Sequence, residues 1–97
     1  MGDRGTRAQT ETLPGWELVR TGIEDLERGV ESVEALLVSI GAPRLVGLGF
    51  EIPTPLPSPE ERLYELLRAE DADSAHSRYN ALVRRLVSFE RAAECAR

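Results

Sequence analysis

The stretch WELVRTGIEDLERGVESVEALLVSIGAP, residues 16–43, decides the expected fold. Its apolar residues Trp16, Val19, Ile23, Leu26, Val30, Val33, Leu37 and Ile40 follow one another at steps of 3, 4, 3, 4, 3, 4 and 3. Alternating steps of three and four keep every one of them on a single helical stripe, the a/d seam of a coiled coil. The spacing predicts one long helix over about 14–40. Pro14 opens it, because its fixed φ suits the first helical position. Gly41 and Pro43 close it, one as a C-terminal cap and the other as a residue that cannot continue a helix.

The same rhythm returns near the C-terminus. Ala75, Tyr79, Leu82, Leu86, Phe89, Ala93 and Ala96 predict a second long helix over 73–97. The carboxylates of Glu70, Asp71 and Asp73 mark its start, since they favour the positive end of a helix. Between the two, Ser58, Pro59 and Glu61 form an N-cap, first-turn proline and capping-box pattern that opens a short helix over 59–70. No Pro or Gly separates it from the last helix, so a merger of the two stays open. The connection 42–58 carries Pro43, Gly47, Gly49, Pro53, Pro55 and Pro57. It also carries Leu45, Val46, Leu48, Phe50, Ile52 and Leu56, which a solvated linker does not need. It is expected to pack across the helices in extended form, with a binding loop as the alternative. Residues 1–12 read as a disordered lead-in, and 13–97 as a single helical domain.

An antiparallel pairing of the two long helices sets Trp16 against Ala96, Ile23 against Phe89, Leu26 against Leu86 and Leu37 against Ala75. Bulky residues then face small ones, as dense packing requires. The first helix is acidic and the last basic, and the same register puts Arg20 beside Glu90 and Glu34 beside His76. The expected fold is therefore all-α: an antiparallel helical hairpin of two long heptad-patterned helices with a short third helix. Leu18, Leu36, Val38, Val83 and Val87 fall off the seam, and a second copy would cover them in a dimeric four-helix bundle. Gly15, Gly22 and Gly29 recur every seven residues on one flank. An interior glycine costs about 1 kcal/mol relative to alanine, so a close backbone approach is expected there. The expected interface is Gly15, Gly22, Gly29, Leu18, Leu36, Val83 and Val87.

The chemistry-bearing residues are few. The 97 residues carry a net charge of −5, which disfavours non-specific attraction to nucleic acid or to an anionic membrane. All twelve basic residues are arginine, a usage that points to a GC-rich bacterial source. Cys95 is the lone cysteine, so no internal disulfide forms and a reducing compartment is expected. No apolar signal-peptide core or membrane-length run is visible, and the expected location is cytoplasmic. Asp73 and His76 stand three residues apart, a spacing that resembles the carboxylate-x-x-His element of di-metal bundle proteins. Glu27, Glu31 or Glu34 would have to complete such a site, and an exposed His76 beside Glu34 is the simpler reading. Cys95 lies next to Glu94 and lacks the electropositive setting of a reactive thiol. Arg78, Arg84, Arg85 and Arg91 form a basic strip without interleaved aromatics. Gly47 and Gly49 lack the rest of a phosphate loop. Neither a catalytic set nor a cofactor motif is present. The expected function is a non-enzymatic helical interaction module whose partner is itself or another helical protein. A metal-binding bundle using Asp73, His76 and Glu34, or a small nucleic-acid-associated regulator, are the alternatives.

Overall fold

A computed structural model describes residues 10–96. The expected lead-in falls mainly on residues 1–9, which lie outside the described residues. Among the described residues there are four full helices and no strand: α1 (Trp16–Glu27), α2 (Val33–Gly47), α3 (Pro59–Glu70) and α4 (Ala75–Cys95); Thr10 and Glu11, expected in the disordered lead-in, are also helical. None of them is long and apolar enough to cross a membrane.

The long first helix expected over 14–40 is two helices. Gly29 stops α1 in the left-handed conformation, at φ +71°. Its N–H donates to the Leu26 carbonyl at 3.1 Å, and the Val30 N–H donates to the Asp25 carbonyl at 2.8 Å. This is the Schellman closure, which glycine allows because it has no Cβ. Ser32 starts α2, its Oγ accepting the Ala35 N–H at 3.0 Å. The nearly buried Asp25 ties the corner by accepting from Ser32 Oγ and from Arg28 Nη2, each at 2.6 Å. The heptad count runs straight through this turn because a turn consumes residues without altering the spacing. Val30, one of the expected core positions, lies in the turn and is 44% exposed.

Folding back brings α2 onto α1 at Gly22. A Cβ there would lie 2.4 Å from both the Glu34 carbonyl oxygen and Val38 Cγ2. Ala35, Leu36, Leu37, Val38, Ala42 and Leu45 are all buried, so α2 is covered on nearly every side and forms the centre of the fold. It does not stop at Gly41. A Cβ at Gly41 would meet Glu90 Oε2 at 2.9 Å and Leu86 Cδ2 at 3.0 Å, so this glycine admits α4 and does not cap a helix. The helix continues through Pro43 to Gly47. An interior proline costs about 3 kcal/mol, and here the burial of Ala42 and Leu45 on either side offsets it.

A turn separates α3 from α4. The Asp71 carboxylate accepts from the Asp73 N–H at 3.1 Å and from Ser74 Oγ at 2.9 Å, which folds α4 back along α3. Ser58 precedes α3 at φ +45° and makes no side-chain cap bond, so the expected capping box does not form. Of the predicted α4 stripe, Ala75, Leu86, Phe89 and Ala93 are buried and Ala96 is exposed. Trp16 faces Phe89 rather than Ala96, with ring centroids 6.0 Å apart. Gly15 lies beside the same turn of α4. The expected pairing of Arg20 with Glu90 is replaced by Arg20 with Glu24 within α1, at 3.2 Å. Burial pushes the Glu90 carboxyl up, against the opposing pull of Arg44. Arg62 of α3 holds Glu31 in the α1–α2 turn through two N–H donors, the Nη2 bond being 2.7 Å. That guanidinium keeps the Glu31 carboxyl below its ordinary range.

Two predictions follow from this geometry. Helix propensity alone would make Gly22→Ala stabilising by about 1 kcal/mol. The clash with the Glu34 backbone reverses the sign, and a loss of about 1–3 kcal/mol in urea denaturation is expected; a more stable variant would show that the helices do not cross there. Hydrogen bonds from Ser32, then from Arg28, hold the Asp25 carboxyl below its ordinary range. A depressed carboxylate contributes its stability in full above its unfolded pKa and loses it as pH falls through the folded value. Thermal melts should therefore show a shallower loss of stability below about pH 4 for Asp25→Asn than for the wild type.

Candidate docking surface

The surface is built where α2 ends. Gly49, at φ +103°, closes α2 as Gly29 closes α1. Its N–H donates to the Val46 carbonyl and the Phe50 N–H to the Leu45 carbonyl, both at 3.0 Å. The turn delivers the half-buried Phe50 to the fully buried Phe89 and the half-buried Trp16, at centroid distances of 5.6 and 6.3 Å. Beyond Phe50 the prolines at 53, 55 and 57 bring no backbone N–H, so no helix forms. The segment is held by the side chains of Ile52 and Leu56 against the core. One hydroxyl also fastens it. Ser39 Oγ of α2 accepts the Leu56 N–H at 3.0 Å and donates to the Ala35 carbonyl at 2.8 Å.

This segment leaves Pro43 and Val46 of α2 exposed above the buried Ser39 and Ala42. Ser39, Ala42, Pro43 and Val46 form one wall of an open groove of about 410 Å³, with Pro55, Leu56 and Pro59 opposite. Across Val46 a second groove, about 540 Å³, is lined by Glu27, Phe50, Glu51, Ile52 and Pro53. Val46 is the ridge between them and is 55% exposed, more than any other large hydrophobic among the described residues. The walls can bury apolar side chains. Their polar groups are the Ser39 hydroxyl, already bonded both ways, and the exposed carboxylates of Glu27 and Glu51 at the rim.

The residues expected at an interface fall in different places. Gly22 and Leu36 are buried inside the chain, because their close neighbours are its own helices. Gly15 packs on α4, and Gly29 is an exposed turn residue with open space around it. Leu18 and Val83 are half-buried against the core, and Val87 is 36% exposed. The weak metal candidates are not drawn together. His76 is exposed, with Nε2 3.2 Å from Asn80 Nδ2. Asp73 is exposed in the α3–α4 turn. Glu34 lines a separate cavity with Glu70, Arg78 and Arg85. Among the described residues no three His, Cys, Asp or Glu side chains converge as a metal ion would require.

The basic strip on α4 does not pair with α1. Arg78 pairs instead with Glu70 of α3 at 2.8 Å. Cys95 is an exposed free thiol. Tyr64 and Tyr79 meet edge to face at 5.9 Å, in a shallow cavity with Glu60, Glu61 and Glu65. Burial, with Glu60 second, pushes the Tyr79 hydroxyl up. Sequence reasoning missed the Val46 face because it ended the helix at Pro43. The signal available was the largely apolar character of 33–47, broken only by Glu34, Ser39 and Arg44, which marks a central helix. No family model, curated protein or solved structure matches the chain.

Removing the Ser39 hydroxyl leaves the Leu56 N–H without its acceptor, at a cost of about 1–3 kcal/mol. Hydrogen exchange should show the Leu56 amide of Ser39→Ala losing protection before the amides of α2 do. Undiminished protection would mean that packing alone holds the segment.

Proposed function

We propose that the protein is a non-enzymatic helical interaction module that associates with a second copy of itself through the Val46 face of α2. The observation that carries this reading is Val46 itself, half in water on the exposed last turns of a helix whose first turns are the buried centre of the fold, between two grooves. Val46 and Pro43 give this end of α2 an apolar face that a partner could cover. A chain of this length also buries a limited core, so association adds burial that it lacks alone. A second copy suits the site because the chain carries the complementary charge. The exposed arginines Arg84 and Arg91 of α4 are opposite in sign to Glu27 and Glu51 at the groove rim. An exposed lone thiol at Cys95 fits a reducing compartment, which supports a cytoplasmic location.

Sedimentation equilibrium tests the reading. The wild-type chain, 10.7 kDa, is expected at twice that mass or more as concentration rises. Val46→Asp should remain at the mass of one chain with an unchanged helical circular dichroism spectrum, because it buries a charge only in the complex. A wild-type protein that stays at one chain's mass at every concentration overturns self-association.

A further inference from the structure

We infer that Glu90 is a proton-operated clasp between α2 and α4: with its carboxyl neutral the two helices close on each other at Gly41, and with it ionised they loosen. The clasp lies within one chain and needs no second copy. Two acids are buried among the described residues, and their settings differ. Asp25 accepts from Ser32 Oγ and Arg28 Nη2, each at 2.6 Å. Glu90, its side chain 7% exposed, has no hydrogen bond among the described residues. The nearest guanidinium atom, Nε of Arg44 on α2, stands 3.9 Å from Oε1. That guanidinium is half exposed and bonds Glu94, one turn further along α4, at 3.2 Å.

The other side of the carboxyl is apolar. A Cβ at Gly41 would lie 2.9 Å from Glu90 Oε2 and 3.0 and 3.1 Å from the Leu86 Cδ atoms. The carboxyl and the leucine methyls together fill the space that glycine leaves at the helix contact. A carboxylate held there without a donor costs more than the neutral acid does. Moving outward to Arg44 relieves that cost, and it withdraws the side chain from Gly41.

The charges around the clasp are few. Arg44 faces it from α2, and Glu94 shares that guanidinium from α4 itself. Arg91, the next residue, is exposed. Among the described residues no charged group of α1, of α3 or of the segment 48–58 acts appreciably on Glu90. Burial therefore prevails over Arg44 and raises the carboxyl. A carboxyl raised in the folded state carries its full penalty above the folded value, and the penalty disappears as pH falls to the unfolded one. The contact tightens on mild acidification, opposite in sign to the losses at Asp25 and Glu31, whose carboxyls are lowered.

Nuclear magnetic resonance on the full chain tests the clasp. The side-chain carboxyl carbon of Glu90 should titrate with a midpoint above those of the exposed glutamates. Amide protection at residues 41–45 and 86–93, corrected for intrinsic exchange rates, should rise about threefold or more as pH falls through that midpoint. Glu90→Gln, neutral and of similar shape, should hold the higher protection throughout and show no step, while other titrations, His76 included, stay common to both chains. A Glu90 midpoint no higher than those of the exposed glutamates overturns the clasp, and so does an equal step in the variant. A Glu90→Gln chain less protected than the wild type at pH 7.5 also overturns it, since the ionised carboxylate would then be holding the helices together through Arg44.

Discussion

At Gly22 the backbone of α2 comes so near α1 that any side chain larger than hydrogen would overlap the Glu34 carbonyl. The remaining architecture depends on that approach. It requires the chain to reverse between the two helices, and the reversal is built from Gly29, Ser32 and Asp25. It also leaves α2 between α1 on one side and α3 and α4 on the others, which is why its residues from Ala35 to Val38 have almost no exposure. Glycine recurs where helices meet. Gly22 admits α2, Gly41 admits α4, and Gly15 lies against Arg85 and Phe89. At Gly22 and Gly41 the lost helix propensity, about 1 kcal/mol for a glycine inside a helix, is set against closer packing of the helices.

Much of this was legible in the sequence, and the parts that were not have identifiable causes. Some local signals read correctly, although Pro14 does not open α1, Ser58 makes no capping box and Gly41 caps nothing. Pro59 in the first turn and the acidic run after Leu67 bracket α3 at the bounds observed, and the carboxylates at 70–73 mark the restart of α4. The flank of Gly15, Gly22 and Gly29 signalled a close backbone approach, and Gly22 makes one. Periodicity misled at the turn between α1 and α2. A heptad counts residues, not helical turns, so Leu26, Val30 and Val33 keep the pattern across a tight reversal. Gly29 and Ser32 carried the opposing signal as a stop and a start, but each looked tolerable inside a long amphipathic pattern. Pro43 misled in the other direction. Its intrinsic cost is real, yet Ala42 and Leu45 bury fully around it, and tertiary packing overrides local preference.

The candidate surface was hidden by the same two errors. With a helix over 14–40, Leu36 and Gly22 looked available to a second copy, and Val46 looked like part of a loop. With the reversal in place, those two lie inside the chain and Val46 becomes the outermost apolar residue of the central helix. Charge is redistributed too. The acids of the first segment do not neutralise the arginines of α4. Glu24 pairs with Arg20 inside α1, and Glu31 reaches across to Arg62 of α3. The four helices leave one exposed valine on α2 and exposed arginines on α4.

The reversal between α1 and α2 is the claim on which everything else turns, and a distance measurement tests it most directly. Spin labels placed at residues 17 and 44, in a chain whose Cys95 is replaced by serine, report the separation of the start of α1 from the end of α2 by pulsed electron resonance. The folded-back arrangement predicts a narrow distribution at short distance, since Trp16 and Phe50 stack within 6.3 Å of each other just beyond both labels. A continuous helix through residues 28–32 would instead hold the labels about 40 Å apart, at 1.5 Å per residue, and a peak there would contradict the account.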